Sequence, residues 1–334
     1  MNKKINTQYR LKRWLGTALA VGTAFTASAP VAVAADLACS NITIISPYPP
    51  GGTTDILARL LAPGMQKELG KTVIVDNKAG ASSNIGTEFV GRAKPDGCTL
   101  LLGNNTGVVI NRNLYKLHLD PLKSLTPIGE VAAVPLVLYV NPGKIQVSSA
   151  QELVDALKKK PDQYSFASGG SGSPQHLAGE MFKQMKAVNM LHVPYRGQGP
   201  AMNDVIAGHV PIAFETTAVL LPHVKAGSVK ALATTSAART KILPDVPTMA
   251  ESGFKDFVIE NWYGVFAPAG TPPELVEKLN KAVNVALKTP QMTRALEQMA
   301  SSDVAGSASA FADFIGKEAP VWTDVVQKSG AKVD

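Results

Sequence analysis

The sequence has 334 residues, with 33 Lys and Arg against 26 Asp and Glu and a formal net charge of +7 at pH 7. The first 34 positions hold five of the basic residues and none of the acidic ones. The remaining residues therefore include 28 Lys and Arg against 26 Asp and Glu, a net charge of +2. A chain so close to neutral has no basic footprint for a nucleic acid, and we predict no such partner. About 300 residues exceed one compact core, which predicts two lobes.

The first 34 residues have the pattern of a cleaved export signal. A basic start is followed by an uncharged apolar run over 14–29 and by small residues at 32–34 that suit a signal peptidase. We therefore predict that residues 1–34 are a signal peptide and that the mature chain is exported. A lipid anchor at Cys39 is disfavoured, because Asp36 stands where a lipoprotein signal has an apolar residue.

Residues 41–55 predict a strand, a glycine turn and the start of a helix. Gly51 and Gly52 let the backbone approach another group closely, and Thr53 to Asp55 can cap a helix. The N–H groups and positive dipole end of an open helix N-terminus favour an anion. No Gly-Lys-Ser/Thr follows, so the turn is not a nucleotide loop. A carboxylate fits better, although a purely structural turn remains an equal alternative.

The next elements repeat the order of strand, polar loop and helix. The pattern predicts a strand at 72–76, a helix around 87–93 and a strand from Cys98. In a doubly wound sheet of order 2-1-3, the strands that follow Cys39 and Cys98 are parallel neighbours. Export also places both cysteines where disulfides persist. We predict a Cys39–Cys98 bridge at the edge opposite the binding loops, where its role is stability.

A second α/β lobe follows an apolar strand predicted at 135–142. Its predicted helices are 149–159, 177–186 and 201–207, and its predicted strands are 164–167, 190–194 and 210–214. The loop over 168–173 is again a glycine turn with hydroxyls that opens a helix, like the loop over 51–55. Each lobe is therefore predicted to be a doubly wound, mostly parallel sheet with flanking helices, and the loops after its strands are predicted to form a ligand cleft.

Two other chemistries are weighed against simple binding. A secreted serine hydrolase would use Ser171 or Ser173, but the segment 169–173 lacks the closing glycine of Gly-x-Ser-x-Gly. The four histidines after residue 170 fall on separate elements without paired spacing, and the pattern indicates scattered surface or loop residues. We therefore expect no metal.

Six motifs in order resemble the tripartite tricarboxylate transporter substrate-binding proteins, the Bug receptors, over essentially the whole mature chain. The motifs are residues 48–59, 80–86, 193–197, 233–239, 243–248 and 262–272. The resemblance implies a monomeric periplasmic Venus-flytrap protein without cofactor or catalytic residues. Such a protein holds a small organic acid between its lobes and hands it to a two-subunit membrane permease.

The resemblance also implies how the chain divides between the lobes. Segments 134–142 and 258–266 would cross between them. Lobe one would comprise residues 35–138 and 264–334, and lobe two residues 139–263.

The predicted ligand contacts lie in loops that follow strands of both lobes. Those of lobe one are Tyr48, Pro50, Gly51, Gly52, Thr53, Thr54, Ser83 and Asn84. Those of lobe two are Ser168, Gly169, Gly170, Ser171, Ser173, His176, Tyr195, Arg196 and Glu215. The ligand is predicted to be a carboxylate or an amide-bearing acid. Its anion would be held by N–H groups, hydroxyls and water at 51–54 and 168–173 rather than by a basic side chain.

Four positions leave the identity of the ligand open. Glu215 stands where the family usually has Asp, and Ser82 and Ser83 stand where glycines are common. Arg196 either pairs with a second carboxylate or lies in a surface turn, and the sequence does not decide between these.

Overall fold

The structure is a computed structural model that describes residues 37–301, 304–331 and 333. The predicted signal peptide lies outside the described residues. Within those ranges, no helix is long and apolar enough to cross a membrane.

The described chain alternates strands and helices. The strands are β1 (Asn41–Ser46), β2 (Thr72–Asn77), β3 (Thr99–Asn104), β4 (Leu125–Val140), β5 (Ser165–Ser168), β6 (Leu191–Pro194), β7 (Ile212–Thr216), β8 (Lys230–Thr234) and β9 (Glu260–Pro268). The helices are α1 (Thr53–Leu69), α2 (Asn84–Gly91), α3 (Pro121–Ser124), α4 (Ala150–Lys159), α5 (Pro174–Lys186), α6 (Gln198–Ala207), α7 (Thr217–Lys225), α8 (Pro273–Leu287), α9 (Pro290–Gln298) and α10 (Ala308–Ser329). A π-helical turn at Thr106–Ile110 and a 3-10 turn at Asn111–Asn113 follow β3.

The strands pair in the order β2-β1-β3-β9-β4-β7-β5-β6, and β8 joins β4. Strand β1 is parallel to β2 and β3, and β5 is parallel to β6 and β7. These two parallel groups, each with helices beside it, are the cores of a two-lobed α/β fold. The fold class predicted from the sequence is confirmed, with antiparallel strands added between the two groups.

The long strand β4 belongs to both halves of the sheet. Its residues 125–135 pair with β9, its residues 136–140 pair with β7, and its residues 137–140 also pair with β8. The sequence predicts a strand only from Pro135, because a proline lacks the N–H that a ladder needs. The observed strand accepts Pro127 beside a shift in register against β9. The lobe boundaries at 138 and 264 stay a prediction.

The predicted disulfide is present. Cys39 and Cys98 are bonded, with Cα atoms 6.0 Å apart. The strands that follow them, β1 and β3, are parallel neighbours in which Thr43 pairs with Thr99. The bridge therefore ties two strands at their amino ends, away from the loops that follow β1 and β2.

An apolar core between β1–β3 and helices α1 and α8 fixes the ends of these strands. Ile44, Leu61, Leu100 and Leu279 are fully buried in it. Each such side chain contributes about 1.5–3 kcal/mol relative to leaving it exposed. This packed core therefore fixes the positions from which the loops after the strands begin.

Several elements differ from those predicted. Helix α2 begins at Asn84, and α5 and α6 each begin three residues earlier than expected. For α5 the reason is local, since Ser173 caps the helix and Pro174 suits its first turn. Helix α7 and strand β8 were not predicted. Strand β8 is held by its pairing with β4, a contact that is distant in sequence.

Candidate functional site

A cavity of about 700 Å³ lies where loops from the carboxyl ends of β1, β2, β5 and β6 meet. Seven of the predicted contacts line it, namely Tyr48, Ser83, Gly169, Gly170, Ser171, Tyr195 and Arg196. The remaining lining residues are Pro49, Ala79, Gly80, Ala81, Ser82, Ile85, Tyr115 and Pro194. The crevice outside the carboxyl ends of parallel strands is the usual ligand position in an open α/β sheet.

The loops of the two parallel groups contact each other beside this cavity. The hydroxyl of Tyr115 donates a hydrogen bond to the carbonyl oxygen of Ser171 over 3.2 Å. Gly170 has a φ of +135°, and a Cβ at this position would lie 2.7 Å from Oγ of Ser82. The close approach therefore requires glycine at 170. Tyr115 was not predicted as a site residue, because no turn or strand signal marks it.

The predicted anion site at the start of α1 does not line the cavity. The Thr53 N–H donates to Oε1 of Gln198 over 2.9 Å, and the Thr53 hydroxyl lies 2.7 Å from that of Thr216. The Gly51 N–H donates to a carboxylate oxygen of Asp55 over 3.1 Å. These donors at the start of α1 are thus engaged by protein acceptors, and a role for 51–54 in ligand binding stays a prediction. Sequence reasoning missed Gln198, which comes directly after the segment 195–197.

Four further predicted contacts also lie outside the cavity lining. Pro50 is exposed, whereas Gly52 and Thr54 are buried at the start of α1. The side-chain oxygen of Asn84 accepts from the Nδ2 of Asn111 over 2.6 Å. Asn84 therefore has a partner within the same lobe.

Buried hydroxyls without partners lie beneath Tyr48. Within the described residues, the side-chain oxygens of Ser83, Thr87 and Thr106 are shielded from solvent and make no well-formed hydrogen bond, and those of Ser83 and Thr106 lie close enough to the Tyr48 hydroxyl to lower its pKa. A Cβ at Gly107 would lie 2.6 Å from Oγ of Ser83 and 2.7 Å from Oγ1 of Thr87, so these two hydroxyls converge. Leaving buried polar groups unpaired is costly, and such groups indicate a place for a ligand group or a water.

Arg196 is the only charged side chain among the described residues that line the cavity. It is exposed, and it makes no ion pair with any described residue. Next to it, the Tyr195 hydroxyl donates to Oδ2 of Asp204 over 2.6 Å. Burial and the Asp204 carboxylate raise the pKa of Tyr195 to about 12. Tyr195 is therefore a neutral part of the cavity lining, and Arg196 gives the cavity its positive charge.

Glu215 lies at the end of β7 and is only 2% exposed. Its Oε1 accepts from the Thr216 N–H over 2.7 Å, from the Thr216 hydroxyl over 3.1 Å and from Nε2 of Gln175 over 3.3 Å. Burial raises the pKa of this carboxyl to about 7, although the three hydrogen bonds act to lower it. Glu215 does not line the cavity, and its contact with a ligand stays a prediction.

The interpretation of the histidines as scattered surface or loop residues is wrong for His176 and His192. Their rings stack with centroids 3.8 Å apart and planes at 11°. His176 is 3% exposed and belongs to α5, and its Nδ1 accepts from the Gly172 N–H over 3.0 Å. It lies beneath the loop 168–173 rather than in the cavity lining. The fifteen residues between the two histidines gave no pairing signal.

The serines of the loop 168–173 serve mainly the loop itself. The Ser173 hydroxyl caps α5 by accepting from the His176 N–H over 3.2 Å. The Ser168 side-chain oxygen accepts from the Gly170 N–H over 3.2 Å, and its hydroxyl donates to the Gly170 carbonyl oxygen over 3.1 Å. The Ser171 backbone and its neighbours Gly169 and Gly170 remain on the cavity side.

The sequence and the fold both match known proteins. The family model described as "Tripartite tricarboxylate transporter family receptor" matches residues 57–331. Protein BugT of Bordetella pertussis is 37% identical over 294 residues, which cover 87% of this chain and 90% of that protein.

Two solved structures share the fold over most of both chains. The periplasmic binding protein BugD is 36% identical with a TM-score of 0.83, covering 87% of this chain and 98% of its own. The R. palustris protein Rpa4515, solved with adipate, is 31% identical with a TM-score of 0.85, and the match covers 89% of this chain and 100% of that chain. The chain therefore belongs to the family of tripartite tricarboxylate transporter receptors.

Proposed function

We propose that this protein is a periplasmic receptor that binds a small organic acid in the cavity and delivers it to a two-subunit membrane permease. The observation that carries the proposal is the cavity of about 700 Å³, which is lined by loops from both parallel groups and by Arg196. Family membership supports a receptor role, and the adipate in one relative supports a carboxylate ligand. Residues 1–34 serve as the export signal.

The anion is held by the loop 168–173 together with Arg196. No described residue accepts from the N–H groups of Gly169 and Ser171, whereas those of Gly170, Gly172 and Ser173 are engaged within the loop and by His176. The guanidinium of Arg196 can grip a carboxylate with two parallel hydrogen bonds. This departs from the sequence-based expectation that no basic side chain contributes.

The far end of the ligand reaches the hydroxyls beneath Tyr48. Burial raises the pKa of the Tyr48 hydroxyl, so this group stays neutral, and its partner in the protein is the Asn104 side chain at 3.4 Å. Ser83 and Thr106 add neutral hydroxyls that lack partners among the described residues. This end therefore takes a hydrogen-bonding group, either directly or through water.

The protein acts without catalysis. The serine-hydrolase alternative places the nucleophile at Ser171 or Ser173, but the Ser173 hydroxyl is used as a helix cap. The serine with a histidine partner is Ser168, 2.7 Å from Nε2 of His192, and it is only 1% exposed. Wild type and the Ser171→Ala and Ser173→Ala variants should therefore hydrolyse p-nitrophenyl acetate at one common background rate.

A thermal-shift screen followed by calorimetry tests the binding proposal. The panel contains monocarboxylates, dicarboxylates from malate to adipate, aromatic acids and acid amides, and at least one should raise the melting temperature by mass action. Arg196→Ala should then weaken that acid about tenfold or more, because a charged hydrogen bond contributes about 1.5–3 kcal/mol. Arg239→Ala is the matched control, since Arg239 pairs with Glu251 on the surface. Equal affinity in both variants would remove Arg196 from the site, and no shift with any acid would refute the ligand class.

A further inference from the structure

The stacked histidines lie directly behind the loop that presents Gly169 and Ser171 to the cavity. His176 comes from the first turn of α5, and His192 from β6. Each ring contacts a different part of the loop, because Nδ1 of His176 meets the Gly172 N–H and Nε2 of His192 meets the Ser168 hydroxyl. One pair of rings therefore supports both ends of the loop.

The hydrogen bonds fix the tautomer of each ring. Since the Gly172 N–H can only donate, Nδ1 of His176 must be unprotonated, and a neutral His176 carries its proton on Nε2. Ser168 already donates to the Gly170 carbonyl oxygen, so its oxygen accepts from His192, whose proton also lies on Nε2. These bonds are all satisfied when His176 is neutral with its proton on Nε2 and when His192 carries a proton on Nε2.

The surroundings keep both rings neutral. Burial and then the Lys183 ammonium lower the pKa of His176 to about 4. Burial, the neighbouring His176 and the Lys183 ammonium, in that order, lower the pKa of His192 to about 3. Phe166 covers the pair on another side, with its ring 4.9 Å from that of His192. The nearest carboxylate, Glu180, lies 3.9 Å from Nε2 of His176 and is paired with Lys183 at 2.9 Å. A proton added to either ring would bring a positive charge close to the Lys183 ammonium. The Glu180 carboxylate would not offset that charge fully, because it is already paired with Lys183.

We propose that His176 and His192 are positioning residues, a pair of stacked neutral imidazoles that holds the loop 168–173 so that its Gly169 and Ser171 N–H groups face the ligand. The pair itself does not touch the ligand. The functional importance of this loop rests on the proposed function, but the positioning can be measured on the protein without a ligand. Protonation of His176 at Nδ1 would set one donor against another and release the Gly172 end of the loop.

Two substitutions at each histidine separate ring packing from hydrogen bonding. His176→Asn keeps an acceptor near the position of Nδ1 and loses the ring, whereas His176→Phe keeps a ring and loses the acceptor. His192→Gln keeps a donor near Nε2, and His192→Phe removes it. His223→Gln, at the end of α7, is the matched control for loss of a histidine.

Amide exchange measured by NMR on the full mature protein provides the test. The Gly172 amide should exchange about tenfold faster in His176→Phe, and its protection should be rescued in His176→Asn. His192→Phe should likewise expose the Gly170 amide, because Ser168 loses its fixed orientation, and His192→Gln should restore it. The control should leave both amides unchanged. Unchanged protection in both phenylalanine variants would overturn the proposal.

Nitrogen NMR of the wild-type histidines covers the case in which a variant fails to fold. Both rings should show a protonated Nε2 and an unprotonated Nδ1 at pH 7. The Gly172 amide shift should titrate together with His176 as the pH falls towards 4, and that titration should be absent in His176→Asn. A protonated Nδ1 on His176, or a Gly172 amide that does not follow its titration, would refute the positioning role whether or not an organic acid binds.

Discussion

Replacing Glu215 with glutamine should stabilise the protein at alkaline pH and leave its stability at pH 4 nearly unchanged. The carboxyl is buried, and the side chains that contact it, those of Gln175 and Thr216, carry no charge. Burial raises its pKa from 4.5 to about 7. Between these values the folded protein binds more protons than the unfolded chain, so the free energy of unfolding falls as the pH rises.

The magnitude follows from the two pKa values. Each pKa unit corresponds to about 1.4 kcal/mol, so the gap between 4.5 and about 7 costs the wild type about 3 kcal/mol at pH 8. A glutamine keeps an acceptor oxygen for Gln175 and Thr216 but carries no charge. For a folded chain of about 300 residues, this gain would raise the melting temperature by about 5 °C.

The assay is urea unfolding of both proteins from pH 4 to pH 8, with Glu277→Gln as the control on the exposed side of α8. Burial lowers the pKa of His176 to about 4, which makes the stability of both proteins rise with pH between 4 and 6.5. The difference between variant and wild type removes that contribution and isolates Glu215. If the difference in the free energy of unfolding between Glu215→Gln and wild type does not change from pH 4 to pH 8, then Glu215 ionises as an ordinary surface carboxyl.

Three further predictions concern the disulfide, the contact between lobes and a helix cap. Replacing Cys39 and Cys98 with serine should lower the free energy of unfolding by about 4 kcal/mol, from the 59-residue separation of the two cysteines, as measured in urea. Gln198→Ala leaves the Thr53 N–H without its acceptor, and small-angle scattering should show a larger radius of gyration because the loops separate. Ser173→Ala removes the cap of α5 and should cost about 1 kcal/mol in thermal unfolding.

Each of these has a clear contrary result. An unchanged urea midpoint in the double serine variant would mean that the bridge does not restrict the unfolded chain. Identical scattering from wild type and Gln198→Ala would show that this hydrogen bond does not hold the lobes together. A Ser173→Ala variant that keeps full stability but loses affinity for the acid found in the screen would make Ser173 a ligand contact instead of a cap.

The sequence by itself determined the local units and their order. Glycine turns after β-branched runs predicted the strand and helix pairs, because turn chemistry and hydrophobic period are local properties. The Cys39–Cys98 bridge was also predictable, since a 2-1-3 order makes β1 and β3 neighbours whatever the rest of the fold does. Seven of the predicted contacts line one cavity, because loops that follow parallel strands lie at the carboxyl edge of the sheet.

Tertiary structure alone decided the rest. Strand β4 extends over sixteen residues because partners from distant parts of the chain supply its hydrogen bonds. Gln198 fills the start of α1 because the two lobes meet there, which no local signal encodes. His176 and His192 stack because α5 and β6 pack together, whereas the sequence shows only two separated histidines. These contacts depend on how side chains from distant segments pack against each other, and the local turn and hydrophobic patterns of the sequence do not specify that packing.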